Sequence, residues 1–502
     1  MYDLVVLGGG SGGLNVATAS AAVGAKVALI EAGKLGGECT HTACVPSKAL
    51  IQAAELVERI RSANVYGLNP GPLEIDFRAV MDRVREVVAS FAGSDSGQSL
   101  EAKGIDVFRG SPAFDAYDTV LVDGQERISG RRFVIATGSR PAVPPIPGLE
   151  EAGYLTNNSF WDLSERPDSL AIIGGGAVGV EFGQALARLG VEVTILEMGK
   201  RLLPMEDPEV SELVQDLFQR EGIKVFTDVE VIGVERRDDK KVVKFRRASD
   251  GMTYEAVRSE ILLAAGRRVN VEGLNLESVG VKYDPTSGIE VNEYLQTRAP
   301  TIYAVGDVLG HHQWTHAAER EASVAFQNAV LRLSKKIDYS AMPWATFTDP
   351  EVATVGRTFG LDDADEPRIF RVEYDDIDRP RIEGRTRGFA KLAATPSGKI
   401  LGVTVIGDHA AMVLQEFVFA MEHGRTLNDI VDTVHPYPTH AGLARNLANQ
   451  FAATRLETGW ARTALRWFYG FTPRVGGDKN GNGSNTEARP ERAEAHGPGD
   501  GH

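Results

Sequence analysis

Asp3-Leu4-Val5-Val6-Leu7-Gly8-Gly9-Gly10-Ser11-Gly12-Gly13 opens the chain as a short apolar run ending in a glycine cluster. Residues 3 to 8 read as a buried strand, a helical pattern follows through Ala25, and Lys26-Val27-Ala28-Leu29-Ile30-Glu31 reads as the next strand. Gly8, Gly10 and Gly13 therefore form G-x-G-x-x-G between a strand and a helix, with Glu31 closing the strand beyond. In that context the glycines let backbone approach a pyrophosphate at a helix N-terminus, and the acid can accept from ribose hydroxyls. Glycine loops without such flanks often mark only tight turns.

The same pattern returns downstream. Leu170-Ala171-Ile172-Ile173 reads as a strand, Gly174, Gly176 and Gly179 repeat the glycine spacing, and Val191 to Glu197 reads as the following strand. Eighteen positions separate Gly13 from Glu31, and eighteen separate Gly179 from Glu197. Two dinucleotide sites predict two dinucleotides, and a flavin with a nicotinamide is the usual pair that exchanges a hydride. Glu197 favours the free ribose hydroxyl of NADH over the 2′-phosphate of NADPH, with Lys200 and Arg201 close by in the opposite sense. The strand Thr301 to Val305 followed by Gly306-Asp307 suits an acid aimed at a flavin ribityl or phosphate, or simply a strand-to-helix turn.

Between the two units lies Gly36-Gly37-Glu38-Cys39-Thr40-His41-Thr42-Ala43-Cys44-Val45-Pro46-Ser47-Lys48, with the only two cysteines of the 502 residues. Proline is best tolerated in the first turn of a helix, so a helix is expected from near Val45. Cys44 then stands at a helix N-terminus, and Lys48, four residues on, adds positive charge on about the same face; both favour a thiolate. Two buried free cysteines acting as small hydrophobes are the plainer alternative. The clustering of the only pair at a helix start supports a redox-active dithiol/disulfide. His41 could tune thiolate formation or meet a soft metal; exposure is the expectation.

The length predicts about two to four domains. A net charge of −15 argues against nucleic acid and anionic membranes as main partners. No apolar run is long enough for an integral membrane segment, and the N-terminus does not read as a signal peptide. Two cysteines cannot make a structural disulfide framework, which points to a reducing cytoplasm. Pro141 to Pro147 reads as a domain boundary, and beyond about residue 340 strands alternate with two long helices without a nucleotide loop. Trp460, Ala461, Ala464, Leu465, Trp467 and Phe468 fall at helical spacing that suggests packing, and residues 476–502 have a disordered composition.

In motif order and domain order, residues 1 to 455 resemble the pyridine nucleotide–disulfide oxidoreductases, the Gly-Gly-x-Cys-x4-Cys-x-Pro-Ser-Lys run being the most specific piece. The mercuric-reductase-like branch is nearest in pattern, since His435-Pro436-Tyr437-Pro438-Thr439 replaces the His-x-His-Pro-Thr of thiol reductases. The resemblance implies an α/β chain of two Rossmann-like dinucleotide-binding domains plus a C-terminal α+β dimerisation domain. Its divisions would be 1–148 and 271–338 for FAD, 149–270 for NAD(P), 339–456 for dimerisation, and 457–502 for a terminal helix and tail. It places FAD on the first loop with Glu31, Lys48, Gly138 and Asp307, and counts Gly266 among the cofactor positions. It further implies that Lys48 pairs with Glu181, that Cys44 faces the flavin and Cys39 the substrate, and that Tyr437 acts across a homodimer interface.

The departures matter. The usual base falls on Tyr437 and its glutamate partner on Gly442, and a C-terminal metal-receiving cysteine pair is absent. His435 or His440 could stand in as base, though a structural or interface role is the simpler expectation for each. The resulting reading is an NADH-dependent flavoenzyme that reduces a small acceptor, with metal ions, quinones and other oxidants ahead of dihydrolipoamide or small disulfides. No resident metal is expected. A slow flavin redox sensor is the reading from another class.

Overall fold

Two parallel sheets are built from the apolar runs that surround the glycine loops. The computed structural model describes residues 1–93, 95–358, 367–456 and 467–470. In the first sheet the strand order is Ile302–Ala304, Phe133–Ile135, Leu4–Leu7, Val27–Glu31 and Ile105–Arg109. Leu4 through Leu7 and Val27 through Ile30 are fully buried, as strands covered on both faces must be. The second sheet runs Lys224–Phe226, Glu192–Leu196, Ser169–Ile173, Glu260–Leu263 and Leu155–Thr156. A third, antiparallel sheet follows the order Pro343–Thr346, Glu351–Gly356, Ile400–Gly407, Phe389–Ala394 and Arg368–Glu373. It packs beneath the helix Ala410–Glu422 through Val403, Val405, Leu414 and Phe417.

The helix Cys44–Arg61 leaves the first unit and buries Leu50, Ala54 and Val57 in the core of the second, against Val180 and Phe182 of the helix Ala177–Arg188. That packing carries the cysteine stretch from one glycine loop toward the other. The first helix is Ser11–Ala22 rather than ending at Ala25, and the helix that follows Asp307, here the return helix, is Thr315–Ala329. The proline-rich segment is preceded by the strand Ser139–Pro141, which pairs with Arg267–Val269 and so ties the two units together.

Met1–Phe451 form one compact unit and Ala452–His502 another. Of the terminal residues singled out above, Trp460, Ala461, Ala464 and Leu465 lie outside the described residues, as does the 476–502 tail, while Trp467 and Phe468 are exposed. No helix of the described residues is long and apolar enough to cross a membrane.

Candidate functional site

A cavity of about 1640 Å³ runs from the first glycine loop past both cysteines to the helix of the second unit. Gly8, Gly10, Glu31, Gly138 and Asp307 line one end, Cys39, Cys44 and Lys48 the middle, and Ala177, Val178, Glu181 and Phe182 the other. Gly36 and Gly37, both at positive φ, bring the cysteine stretch across the first loop. A Cβ on Gly37 would stand 2.7 Å from the Cα of Gly10, so only glycine permits this crossing.

The glycines of the two loops divide their work. A Cβ on Gly13 would meet the Gly8 carbonyl at 1.9 Å, and one on Gly179 the Gly174 carbonyl at 2.0 Å, so these positions are closed by the protein itself. A Cβ on Gly10 would have nothing closer than 3.9 Å, and one on Gly176 nothing within 4 Å. Each middle glycine thus faces room, at the start of a helix, where a dinucleotide phosphate needs it. The residues present fit two such groups. Glu31 accepts from the Gly9 N–H at 2.5 Å and the Gly33 N–H at 2.6 Å, and Glu197 from the Gly175 and Gly199 N–H groups, each at 2.5 Å. The acids therefore brace their loops.

Cys39 lies on the short helix Gly37–His41 and Cys44 is the first residue of Cys44–Arg61. Both are free thiols. The Thr315 hydroxyl, at the start of the return helix, donates to the Cys39 sulfur at 3.0 Å and lies 3.3 Å from that of Cys44. The Cys44 thiol is pulled down to about 6, first by the hydrogen bond from Cys39, then by Thr315 and the charge of Lys48, against burial. Cys39 is pushed up by the same bond, by burial and by the neighbouring Cys44 charge. Lys48, expected to add positive charge beside Cys44, ranks behind two hydrogen bonds in favouring the thiolate. Its charge is shared: Lys48 Nζ is 2.9 Å from the buried Glu181, whose other oxygen accepts from the Phe347 N–H at 2.8 Å.

Thr315, Phe347 and the Arg267–Glu38 pair were not foreseen. Arg267 joins the cysteine stretch, through Glu38, to Ser139 at 2.7 Å and to Asp307 at 3.4 Å, and Ser139 donates to Asp307 at 2.6 Å. Gly266, at φ 102°, begins this arm. The only signal in the sequence was the Gly266-Arg267 dipeptide. His41 departs from expectation: it is half-buried, lines the cavity, and its Nε2 bonds the Leu35 carbonyl at 2.8 Å.

Tyr437, His435 and His440 do not line this cavity within one chain. Tyr437 is 73% exposed, and its phenol is raised by a hydrogen bond to Asp378. Both nitrogens of His435 are engaged, Nδ1 with the Thr433 carbonyl at 3.1 Å and Nε2 with Glu416 at 2.9 Å. His440 Nε2 bonds Glu383 at 3.0 Å.

Comparison with known proteins places this geometry. The profile described as pyridine nucleotide-disulphide oxidoreductase matches residues 2–322, and that family's dimerisation domain matches residues 342–447. A mercuric reductase of Staphylococcus aureus is 33% identical over 443 residues, covering 88% of this chain and 80% of that protein. A dihydrolipoyl dehydrogenase of Bacillus subtilis is 32% identical, covering 87% and 95%. Among solved structures, LpdA of Mycobacterium tuberculosis superposes with a TM-score of 0.82 at 25% identity, over 89% of this chain and 99% of that one. The HOCl-induced flavoprotein disulfide reductase RclA of Escherichia coli does so with 0.80 at 25% identity and the same coverage. The match extends over both sheets and the cysteine stretch, and the chain belongs to the pyridine nucleotide-disulphide oxidoreductases, a family of FAD- and NAD(P)H-dependent enzymes.

Proposed function

We propose that the protein is a homodimeric, cytoplasmic NADH-dependent flavoenzyme that passes electrons through Cys39 and Cys44 to a small acceptor, a metal ion or quinone ahead of lipoamide or a small disulfide. FAD on the first loop and a nicotinamide on the second would supply hydride transfer and two-electron storage. Lys48 and Glu181 form a charge pair in the cavity between the two loops. Cys44 is the thiolate of the pair, and Cys39 retains its proton. When they reduce an acceptor, the two sulfurs bond to each other, giving up two electrons and the remaining proton.

The observation that carries the choice of acceptor is Tyr437. It occupies the place where the resemblance puts a base, and a phenol raised by Asp378 keeps its proton at neutral pH. Dithiol exchange needs a group to take and return protons, whereas thiolate capture of a soft metal ion does not. A flat acceptor also has a surface to meet. Trp314 stacks on His316 and on Trp344 with interplanar angles of 4° and 5°, and all three rings line the cavity beside Thr315. On the nicotinamide side, one Arg201 nitrogen, Nη2, donates to the Pro204 and Glu206 carbonyls, which draws part of its charge away and supports NADH over NADPH.

The test is NADH oxidation with Hg²⁺, Cu²⁺, a benzoquinone, lipoamide and glutathione disulfide, using wild type and Cys39→Ser. We expect kcat/KM for a metal ion or quinone to exceed that for lipoamide by at least about tenfold, roughly 1.4 kcal/mol. The dihydrolipoyl dehydrogenase relative supports lipoamide as the runner-up, and equal or faster lipoamide turnover would reverse the ranking.

A further inference from the structure

His440 has one ring nitrogen placed and one left over. Nε2 is held by Glu383, while Nδ1 is buried with no hydrogen-bond partner. Across from it are Asp408, buried at the end of the strand Ile400–Gly407, and His409, which precedes the helix Ala410–Glu422. One donor atom from each of Asp408, His409 and His440 lies within 4.8 Å of the other two. His409 Nε2 stands 3.8 Å from an Asp408 oxygen, and the two imidazole rings are 5.0 Å apart, edge to face.

We propose that Asp408, His409 and His440 bind a single divalent transition-metal ion of the zinc class, which anchors the 435–440 segment to the start of the helix Ala410–Glu422. Two imidazole nitrogens and one carboxylate oxygen suit a borderline cation, whereas calcium and magnesium prefer all-oxygen sites. Solvent would complete the coordination. The surroundings are those of a ligating histidine: Glu383 takes the far nitrogen of His440, fixes its ring, and leaves Nδ1 to face the ion. Arg385 approaches, at 2.9 Å, the same Asp408 oxygen that faces His409, yet its charge is shared with Asp349 at 2.6 Å, and a carboxylate oxygen has two lone pairs to offer. Glu351, near His409, adds a further acid.

This ion would be resident and distinct from any metal reduced at the sulfurs. His409, His440 and Glu383 do not line the cavity that holds Cys39 and Cys44. The site also gives His440 a task that the redox reading does not. The loop bearing Tyr437 would be pinned at one end by the His435–Glu416 pair and at the other by the metal.

The experiment uses flavin-loaded full-length protein with Cys39→Ser and Cys44→Ser, so that no thiol competes. After EDTA treatment and dialysis, Zn²⁺ uptake is measured by calorimetry and Co²⁺ uptake by its long-wavelength d–d absorbance. Expected are one Zn²⁺ per chain, a Co²⁺ spectrum of nitrogen and oxygen ligands, and loss of both in His409→Asn and His440→Asn. Glu383→Gln should weaken binding by about 10- to 100-fold, as for other groups that orient a ligating histidine. Should His440→Asn fail to fold, the half-exposed His409 still decides the matter. No uptake by the double-serine protein, or uptake that His409→Asn leaves unchanged, overturns the proposal.

Discussion

Gly8 and Gly174 stand at φ 106° and 115°, and Gly10 and Gly176 cap their helices at φ −82° and −75° with the same ψ of −173°. Each helix is 12 residues long, and each acid grips its loop through two N–H groups. Locally the two units are one design. They part in what lies over them. The cysteine stretch crosses the first loop, and the Gly36 N–H donates to the Gly9 carbonyl at 2.8 Å, whereas Gly176 opens on free space. Their sheets are completed differently too: the edge strand beside Phe133–Ile135 in the first, Ile302–Ala304, leads into Asp307 at the cavity, while the edge strand beside Glu260–Leu263 in the second, Leu155–Thr156, enters from the connecting segment. A roofed loop suits a ligand that stays, and an open loop suits one that comes and goes.

The largest effect should come from breaking that asymmetry at the middle glycines. Both have backbone angles that any residue adopts, and both have room for a methyl group, so Gly10→Ala and Gly176→Ala should fold. Gly10→Ala is expected to purify with less than about a tenth of the wild-type flavin. Gly176→Ala should keep its flavin and raise the KM for NADH by about 100-fold, near 2.7 kcal/mol of lost binding. Flavin absorbance and steady-state kinetics decide. If both variants lose flavin alike, the roof does not distinguish the loops.

The second test concerns the roof itself. The causes acting on Cys44 rank Cys39 first, then Thr315, then Lys48, so removing them should raise the thiol in that order. A hydrogen bond to a charged group is worth about 1.5–3 kcal/mol, or roughly one to two pH units. In reduced wild type, alkylation by iodoacetamide should rise through pH of about 6. The midpoint should move up most in Cys39→Ala, less in Thr315→Val and least in Lys48→Met, whose charge Glu181 already shares. A larger shift in Lys48→Met than in Thr315→Val would overturn this order.

What could be read without coordinates was what is local. Apolar runs, glycine spacing and an acid eighteen positions on are set within one strand–helix–strand unit, so both units and the fold class were legible. Cys39, Cys44 and Lys48 were legible for the same reason. Thr315 was not, because it meets the sulfurs across more than 270 positions of chain, and a threonine at a helix start has many ordinary uses. Arg267 with Glu38 and Phe347 with Glu181 are likewise products of packing. His435 and His440 were visible as histidines, but Glu416 and Glu383, which occupy them, come from elsewhere in the fold.

The smallest effect belongs to the return segment, which the second unit lacks. Glu321 is wholly buried on the helix Thr315–Ala329, accepting from the Gly306 N–H at 2.6 Å and from the Tyr339 hydroxyl at 2.7 Å. Burial raises its carboxyl to about 7, with the charge of Asp307 adding to the rise. A carboxyl raised in the folded state favours folding when protonated. Its contribution is complete below the unfolded value of 4.5 and is lost as pH climbs through about 7. Between about pH 6 and 8 the loss is on the order of 1 kcal/mol, enough to lower the midpoint of heat-induced flavin release by a few degrees at most. Glu321→Gln stays neutral and can still accept from Gly306, so its midpoint should be flatter over the same range. Because Gly306 adjoins Asp307 at the first site alone, the pH dependence should appear in flavin release and leave the KM for NADH unmoved. An equal pH slope in Glu321→Gln would mean that some other group sets the stability of the roofed site.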